Sequence, residues 1–277
     1  MTSPDRPIGV FDSGMGGLTV MRALMTRLPR ESFVYLGDTA RLPYGTKSGD
    51  TVTRYAVQCA RALAAHDVKL LIVACNTASA VALPALSQAL APTPVLGVVE
   101  PGAEAAVKAA PSGRIAVIAT EGTVKGGAYE RAIRARNPKA QVMQMPCPLF
   151  VPLAEEGLTD GPIVEAVAHR YLDPLFAGKD KPECLVLGCT HFPVLAQTIA
   201  RVVGRDVTLV DSAETTAIAA ERLLTERKLA REDSAPSRPT FLATDAPERF
   251  ARVGEIFLGS KIAAGGVELV DLQTLPG

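Results

Sequence analysis

Short apolar runs alternate along the chain with longer stretches in which apolar residues recur at helical spacing. The runs Ile8–Phe11, Leu70–Ala74 and Arg114–Ala119 each end abruptly in small polar residues. Largely apolar runs of this kind, bounded by polar segments, are typical of buried strands in parallel sheets. Strands that alternate with helices predict an α/β fold in which helices cover both faces of each sheet. Within this pattern we expect helices over about residues 79–90 and 125–136, a strand over 95–99 and a proline-broken loop over 146–157.

The same succession of strands and helices occurs twice in the sequence. Ile8–Ser13 matches Ile115–Thr120 at a separation of 107 residues, and the strand that ends at Cys75 matches the strand that ends at Cys189 at 114. We therefore predict two pseudo-symmetric parallel-sheet domains with the active site in the cleft between them. The first would be discontinuous, with residues 1–98 plus 210–277, and the second would span 99–209. Residues 232–239 have the composition of a linker.

The two repeated cysteines are the main candidates for chemistry. A cysteine at the end of an apolar strand is usually a small buried hydrophobe, but the repeat favours a function. Ligands of open α/β sheets bind at the carboxyl ends of the strands, where both thiols would lie. Two thiols on opposite sides of one carbon can remove a proton from one face and return a proton to the other. That chemistry is racemisation or epimerisation.

Other polar residues are predicted at the same sheet edges. Asp12 could assist Cys75, and His191 with either Glu155 or Glu156 could assist Cys189. The loop after the second strand, which contains Tyr44 and Gly45, is long enough to be functional. Neutral donors and acceptors that suit the carboxylates and ammonium of an amino acid are Ser13, Asn76, Thr77, Thr120, Thr123 and Thr190.

Composition excludes several classes of protein. The chain has 29 basic and 29 acidic residues, so it lacks the basic surface of a nucleic-acid binder. Its 5 cysteines are odd in number and show no C-x-x-C spacing, which indicates reduced, intracellular thiols. Cys59, Cys147 and Cys184 lack the repeated setting and are interpreted as structural. The uncharged stretch Leu70–Val99 is interrupted by prolines and the first residues have no apolar core, so neither a membrane span nor a secretory leader is expected.

Two other kinds of site are disfavoured. The turn Gly14–Gly17 lacks the third glycine of a dinucleotide fingerprint and the lysine of a phosphate loop. Cys75, Cys189 and His191 could bind zinc, but the sequence offers no evident fourth ligand. We therefore expect neither a cofactor nor a metal.

Several motifs resemble those of the glutamate racemases. They are Phe11-Asp-Ser-Gly-Met-Gly-Gly-Leu-Thr19, Tyr35-Leu-Gly-Asp-Thr-Ala-Arg-Leu-Pro-Tyr-Gly45, Ala74-Cys-Asn-Thr-Ala-Ser79, Gly97-Val-Val-Glu-Pro-Gly102, Ala119-Thr-Glu-Gly-Thr123, Pro148-Leu-Phe-Val-Pro-Leu-Ala-Glu155 and Leu187-Gly-Cys-Thr-His-Phe-Pro193. The resemblance extends over the chain to about residue 212.

The resemblance implies a cofactor-independent interconversion of L- and D-glutamate that supplies D-glutamate for bacterial peptidoglycan. It implies that Cys75 is the base for the D-enantiomer and Cys189 the base for the L-enantiomer, assisted by Asp12, Glu155 and His191. The substrate-binding residues that it implies are Asp12, Ser13, Tyr44, Gly45, Asn76, Thr77, Thr120, Thr123, Thr190 and His191. We expect a cytoplasmic homodimer with a small-molecule substrate and with neither nucleic acid nor membrane as a partner.

Three alternatives stay open. A racemase for aspartate or another amino acid would share the paired cysteines. A non-catalytic amino-acid-binding or regulatory protein would be expected to lose one thiol, so the presence of both favours catalysis. A secondary role as a protein partner, such as the gyrase inhibition known for some glutamate racemases, has no support from the neutral charge.

Overall fold

The computed structural model describes residues 3–232 and 238–272. Within them, strands and helices alternate as the hydrophobic pattern predicts. The strands are β1 (Ile8–Asp12), β2 (Phe33–Gly37), β3 (Leu70–Val73), β4 (Val95–Gly97), β5 (Arg114–Ala119), β6 (Gln141–Pro146), β7 (Cys184–Gly188), β8 (Thr208–Asp211), β9 (Thr240–Ala243) and β10 (Val267–Leu269).

The helices are α1 (Leu18–Arg27), α2 (Gly49–Ala64), α3 (Asn76–Val81), α4 (Leu83–Ala89), α5 (Val99–Ala109), α6 (Glu121–Gly126), α7 (Ala128–Arg136), α8 (Phe150–Glu155), α9 (Pro162–Phe176), α10 (Ala196–Val203), α11 (Ser212–Glu226) and α12 (Pro247–Leu258). Short 3-10 turns occur at Tyr44–Thr46, Phe192–Leu195 and Ala264–Gly266. Most of the predicted linker, residues 233–237, and the last five positions of the predicted first domain lie outside the described residues.

The strands form two parallel sheets. The first has the order β10-β9-β2-β1-β3-β4 and the second the order β6-β5-β7-β8. The last four strands in the order of the first sheet, β2-β1-β3-β4, therefore repeat the order of the whole second sheet. This confirms the predicted duplicated α/β architecture. The late strands β9 and β10 extend the edge of the first sheet, so the end of the chain returns to the half in which it began.

Helices cover both faces of each sheet. Helices α1, α11 and α12 pack on one face of the first sheet, and α2, α3 and α4 pack on the other. In the second sheet α8, α9 and α10 cover one face, and α5 and α7 cover the other. Since every central strand is buried on both faces, its polar carboxyl end is the part that can meet a ligand.

Two predicted helices are each divided in the structure. The helix expected over residues 79–90 is α3 and α4, which meet at Ala82 just before Pro84. The helix expected over 125–136 is α6 and α7, separated by Gly127 in the left-handed conformation with φ +59°. Both breaks follow from residues that interrupt a regular helix, namely proline and a left-handed glycine.

Two helices occur where the sequence suggests other structure. Residues 98 and 99, predicted at the end of a strand, lead into α5, and the proline-rich segment 146–157, predicted as a loop, contains α8. Pro101 and Pro152 both fall in the first turn of their helices. A proline is tolerated there because the first N–H groups of a helix have no partner within it. Among the described residues, no helix is both long and apolar enough to cross a bilayer.

Candidate active site

The carboxyl ends of the two sheets face a common cavity. The empty space there, including the part open to solvent, is about 350 Å³. The residues that line it are Ser13, Pro43, Tyr44, Gly45, Cys75, Asn76, Thr77, Thr120, Val151, Cys189, Thr190 and His191. Both candidate thiols therefore border one space, and each is only 5% exposed.

Cys75 stands where β3 turns into α3 and caps that helix. Its Sγ accepts a hydrogen bond from the backbone N–H of Ala78 at 3.4 Å and lies 3.5 Å from Ser13 Oγ. Burial is the main cause that raises the pKa of this thiol to about 12, and the negative charge of Asp12 adds to it. Cys75 therefore holds its proton at neutral pH.

Asp12 ends β1 and is fully buried. Its Oδ2 accepts a hydrogen bond from the Gly14 N–H at 3.0 Å, whereas Oδ1 is buried without a hydrogen-bond partner in the described part of the chain. Burial raises the pKa of Asp12, and the charge of His191 together with backbone N–H groups partly counteracts the rise. The carboxyl group is thus placed to influence Cys75 from behind the cavity wall.

Cys189 has a different neighbour. Its Sγ lies 3.8 Å from Nδ1 of His191, and Nε2 of that ring lies 3.2 Å from Oε1 of Glu155. Arg249, from α12, donates to the other oxygen of Glu155 at 2.9 Å. A series of contacting side chains therefore leads from Cys189 through His191 and Glu155 to Arg249.

The charged forms of these side chains stabilise one another. Burial disfavours the imidazolium, but the hydrogen bonds with Cys189 and Glu155 outweigh it and raise the pKa of His191 to about 10. Burial also disfavours the carboxylate of Glu155, but His191 and Arg249 outweigh it and lower its pKa. His191 is consequently cationic at neutral pH, and it places a positive charge beside Cys189.

The glycine turn after β1 allows the first half to approach this histidine. A Cβ atom added to Gly16 would lie 2.4 Å from His191 Nδ1, which no real side chain could tolerate. Thr19, at the start of α1, donates to the backbone carbonyl of Thr190 at 3.0 Å. The glycine turn Gly14–Gly17 therefore serves as a close contact between the two halves.

Three threonine hydroxyls form a closed triangle at the other side of the cavity. Thr77 lies 3.0 Å from Thr120 and 3.1 Å from Thr123, and the last two lie 3.0 Å apart. Thr120 and Thr77 line the cavity, whereas Thr123 is behind them. Thr77 belongs to the first half and the other two to the second, so the triangle also joins the halves.

The loop after β2 reaches the cavity through its residues 43–45. The hydroxyl of Tyr44 donates a hydrogen bond to the buried carboxylate of Asp38, and its ring packs on Phe11 and Tyr55. Tyr44 is therefore held in the core of the first half at the cavity wall, with its polar atom already paired.

The structure brings most of the predicted site residues to one place. Asp12, Thr123 and Glu155 do not line the cavity but contact or influence residues that do. Between the two adjacent glutamates, Glu155 binds His191, whereas Glu156 follows α8 as its C-cap and is exposed.

Sequence reasoning did not single out four residues of this region as site residues. Pro43 and Val151 line the cavity, Arg249 binds Glu155, and Tyr129 donates to the side-chain oxygen of Asn76 at 2.7 Å. The quoted motifs contain Pro43 and Val151, but no local pattern marks Arg249 or Tyr129.

The three remaining cysteines, which we interpret as structural, are buried and form no disulfide in the described residues. Burial raises the pKa of each of them. Within the described ranges, no cluster of three or more His, Cys, Asp and Glu side chains is arranged to hold a metal ion. The zinc interpretation of Cys75, Cys189 and His191 therefore has no geometric support.

Comparisons with known proteins point to one family. Residues 8–220 match the family model described as Asp/Glu/Hydantoin racemase. A glutamate racemase of Geobacter metallireducens is 50% identical over 271 residues, which is 98% of this chain and 98% of that protein.

Solved structures agree. The glutamate racemase of Francisella tularensis in complex with D-glutamate is similar with a TM-score of 0.90 and 40% identity, covering 98% of this chain and 100% of that one. The glutamate racemase of Thermus thermophilus in complex with beta-chloro-D-alanine gives a TM-score of 0.87 and 44% identity, covering 99% and 100%.

Proposed function

Since this chain belongs to the Asp/Glu/hydantoin racemase family, as a member of its glutamate racemases, we propose that it interconverts L-glutamate and D-glutamate without a cofactor. The observation that carries the proposal is the pair of thiols, Cys75 and Cys189, at equivalent strand ends on one small cavity. A racemase needs one acid/base group on each face of the α-carbon, and a site built from two similar halves supplies both.

The proposed reaction uses the two thiols in opposite protonation states. In the direction from L to D, the Cys189 thiolate removes the α-proton and the Cys75 thiol delivers its own proton to the opposite face. The reverse direction exchanges the two roles, so one proton is taken up and one is given in each turnover. The raised pKa of Cys75 and the cationic His191 beside Cys189 support this arrangement for the L-enantiomer.

Assisting roles follow from the neighbours of each thiol. We assign Asp12 to Cys75, and His191 with Glu155 to Cys189. For binding, the hydroxyls of Ser13, Thr77, Thr120 and Thr190, the amide of Asn76 and the loop at Tyr44 and Gly45 face or border the cavity. Neutral donors of this kind suit the two carboxylates of glutamate.

Further properties extend the proposal. The D-glutamate produced would be used in bacterial peptidoglycan and so in cell-wall biogenesis and cell shape, and the enzyme would act in the cytoplasm, where thiols stay reduced. A homodimer stays a prediction, to be checked by light scattering on the purified protein.

The test is a substrate screen under reducing conditions without added pyridoxal phosphate or metal. Circular dichroism of D-glutamate and of L-glutamate should decay to zero in the presence of the protein. An unchanged signal with both enantiomers would contradict the proposal. Faster racemisation of aspartate or a larger analogue than of glutamate would move the assignment to another amino acid.

A further inference from the structure

Tyr129 is a buried phenol from the second half that contacts the first half beside the cavity. It lies on α7, is fully buried, and donates its hydroxyl proton to Oδ1 of Asn76 at 2.7 Å. Asn76 begins α3, directly after Cys75, and lines the cavity. The bond therefore joins the second half to a residue adjacent to the thiol of the first half.

The ring of Tyr129 is held tightly in place by two glycines. A Cβ atom added to Gly102, on α5, or to Gly188, at the end of β7, would lie 3.1 Å from a ring carbon. Gly188 directly precedes Cys189, so the same ring packs beside the strand end that carries the second thiol. The phenol is thus fixed between α5 and the Cys189 strand and has little freedom to move its hydroxyl.

The hydroxyl acts as a donor. Burial raises the pKa of Tyr129, and the charges of Cys189 and Asp211 raise it further, so the phenol keeps its proton. In the part of the chain that the structure describes, Asn76 Oδ1 is its hydrogen-bond partner. Since a carboxamide has one oxygen and one NH2 group, this bond determines which way the amide of Asn76 points.

The NH2 group of Asn76 is consequently left for a ligand. Its Nδ2 is buried and has no hydrogen-bond partner among the described residues, although the residue as a whole is only 3% exposed. Buried polar groups in proteins are nearly always paired, so an unpaired donor at a cavity wall indicates a partner supplied by the ligand. A carboxylate oxygen is the acceptor that an amino-acid substrate offers.

We propose that Tyr129 is a positioning residue, which fixes the amide of Asn76 so that its NH2 group donates to a carboxylate of the substrate. The proposal rests on the function proposed above, since it takes an amino acid as the ligand. It explains why a buried tyrosine hydroxyl crosses between the halves at a residue next to Cys75.

The first test removes only the phenolic oxygen. Tyr129→Phe keeps the ring between the glycines but lets the Asn76 amide rotate, so we expect KM to rise about tenfold for both enantiomers while kcat changes much less. Tyr171→Phe is the matched control, because it removes a hydroxyl that contacts the backbone N–H of Leu149 in the same half, at the surface. We expect this control to leave both constants unchanged.

A double-mutant cycle separates positioning from a general structural effect. In the Asn76→Ala background, Tyr129→Phe should add nothing to KM or to the dissociation constant of D-glutamate measured by calorimetry, because the group on which it acts is gone. The proposal is wrong if Tyr129→Phe leaves KM within twofold of the wild-type value, or if its effect is the same with and without Asn76. Wild-type racemisation measured in parallel distinguishes this failure from failure of the proposed function, which would leave the unmodified protein inactive.

Discussion

Cys75 and Cys189 occupy corresponding places in the two halves, yet their charged neighbours have opposite sign. Each thiol follows the third strand of a β2-β1-β3-β4 or β6-β5-β7-β8 arrangement, and each is 5% exposed. Cys75 has the buried acid Asp12 nearby, which raises its pKa, whereas Cys189 has the cationic His191 at 3.8 Å. The backbone frame is duplicated, but the electrostatic environment is not.

The assisting residues Asp12 and His191 come from positions that do not correspond between the two halves. At the 107-residue separation of the first strands, the counterpart of Asp12 is Ala119, and at the 114-residue separation of the cysteines the counterpart of His191 is Thr77. At each of these two positions, one half has an assisting residue where the other half has a small or neutral one. Equivalent strand ends therefore place the two thiols on one cavity, whereas the charged groups beside them come from positions that differ between the halves.

The asymmetry has a defined kinetic consequence for the proposed reaction. Because the two enantiomers have equal free energy, kcat/KM must be the same in both directions at every pH. The unequal neighbours can therefore make kcat differ between the two enantiomers only if KM differs between them by the same factor. Variants that change one thiol or one assisting residue at a time can separate the contributions of the two halves.

The largest effect is expected from removing either thiol. Cys75→Ala and Cys189→Ala should each lower racemisation by roughly 10²–10⁴-fold, since general acid/base groups contribute about that factor. The rate is measured by circular dichroism of each enantiomer. Cys184→Ala, which removes a buried thiol from the core of β7, is the control and should stay active. Full activity of either single-site variant would contradict the two-base assignment.

The next effect is expected from His191→Gln. Loss of the cation beside Cys189 should lower kcat about a hundredfold and remove the alkaline limb that the titration of His191 near pH 10 gives the wild-type profile. The sign follows because His191 is cationic below its pKa of about 10 and loses its charge above it, whereas glutamine is neutral at every pH. His169→Gln is a matched control, since His169 is an exposed residue paired with Asp173 on α9. An unchanged profile in His191→Gln would mean that the two thiols do not differ in the way described.

The duplicated frame and both thiols could be predicted because they depend on local patterns. Apolar runs that end in Cys75 and Cys189 identify the strands, and the carboxyl ends of parallel strands necessarily meet at one edge. The return of residues 240–269 to the first sheet was also predictable, since those residues include further apolar runs without a place in the second half.

Contacts between distant segments could not be predicted from the sequence. Arg249 is 94 residues from Glu155, and Tyr129 is 53 residues from Asn76. Nothing in the periodicity of α12 or α7 distinguishes these side chains from others on the same helices. The helices α5 and α8 were missed for a different reason, because Pro101 and Pro152 are local signals for loops although both are compatible with a first helical turn.

A smaller effect is expected from Asp12→Asn, which removes the negative charge and keeps a side chain of the same shape. Because Asp12 raises the pKa of Cys75, the variant should lower that pKa by about one unit. The measurement is the pH dependence of Cys75 alkylation by iodoacetamide, made in the Cys189→Ala background so that one site thiol remains. The midpoint should move to lower pH. A midpoint that stays in place or rises would show that Asp12 does not act on Cys75 through its charge.

The smallest effect is expected from Arg249→Met, which tests the outer end of the Cys189 side. The side chain of Arg249 is 41% exposed, so its ion pair with Glu155 is partly screened by solvent and should be worth at most about 1 kcal/mol, or about fivefold in rate. Kinetics in the Glu155→Gln background should show no further loss, because Arg249 acts through that carboxylate. Arg252→Met, an exposed arginine on the same helix, is the control. A loss that persists without the Glu155 carboxylate would place Arg249 outside the chain of contacts that leads to His191 and Cys189.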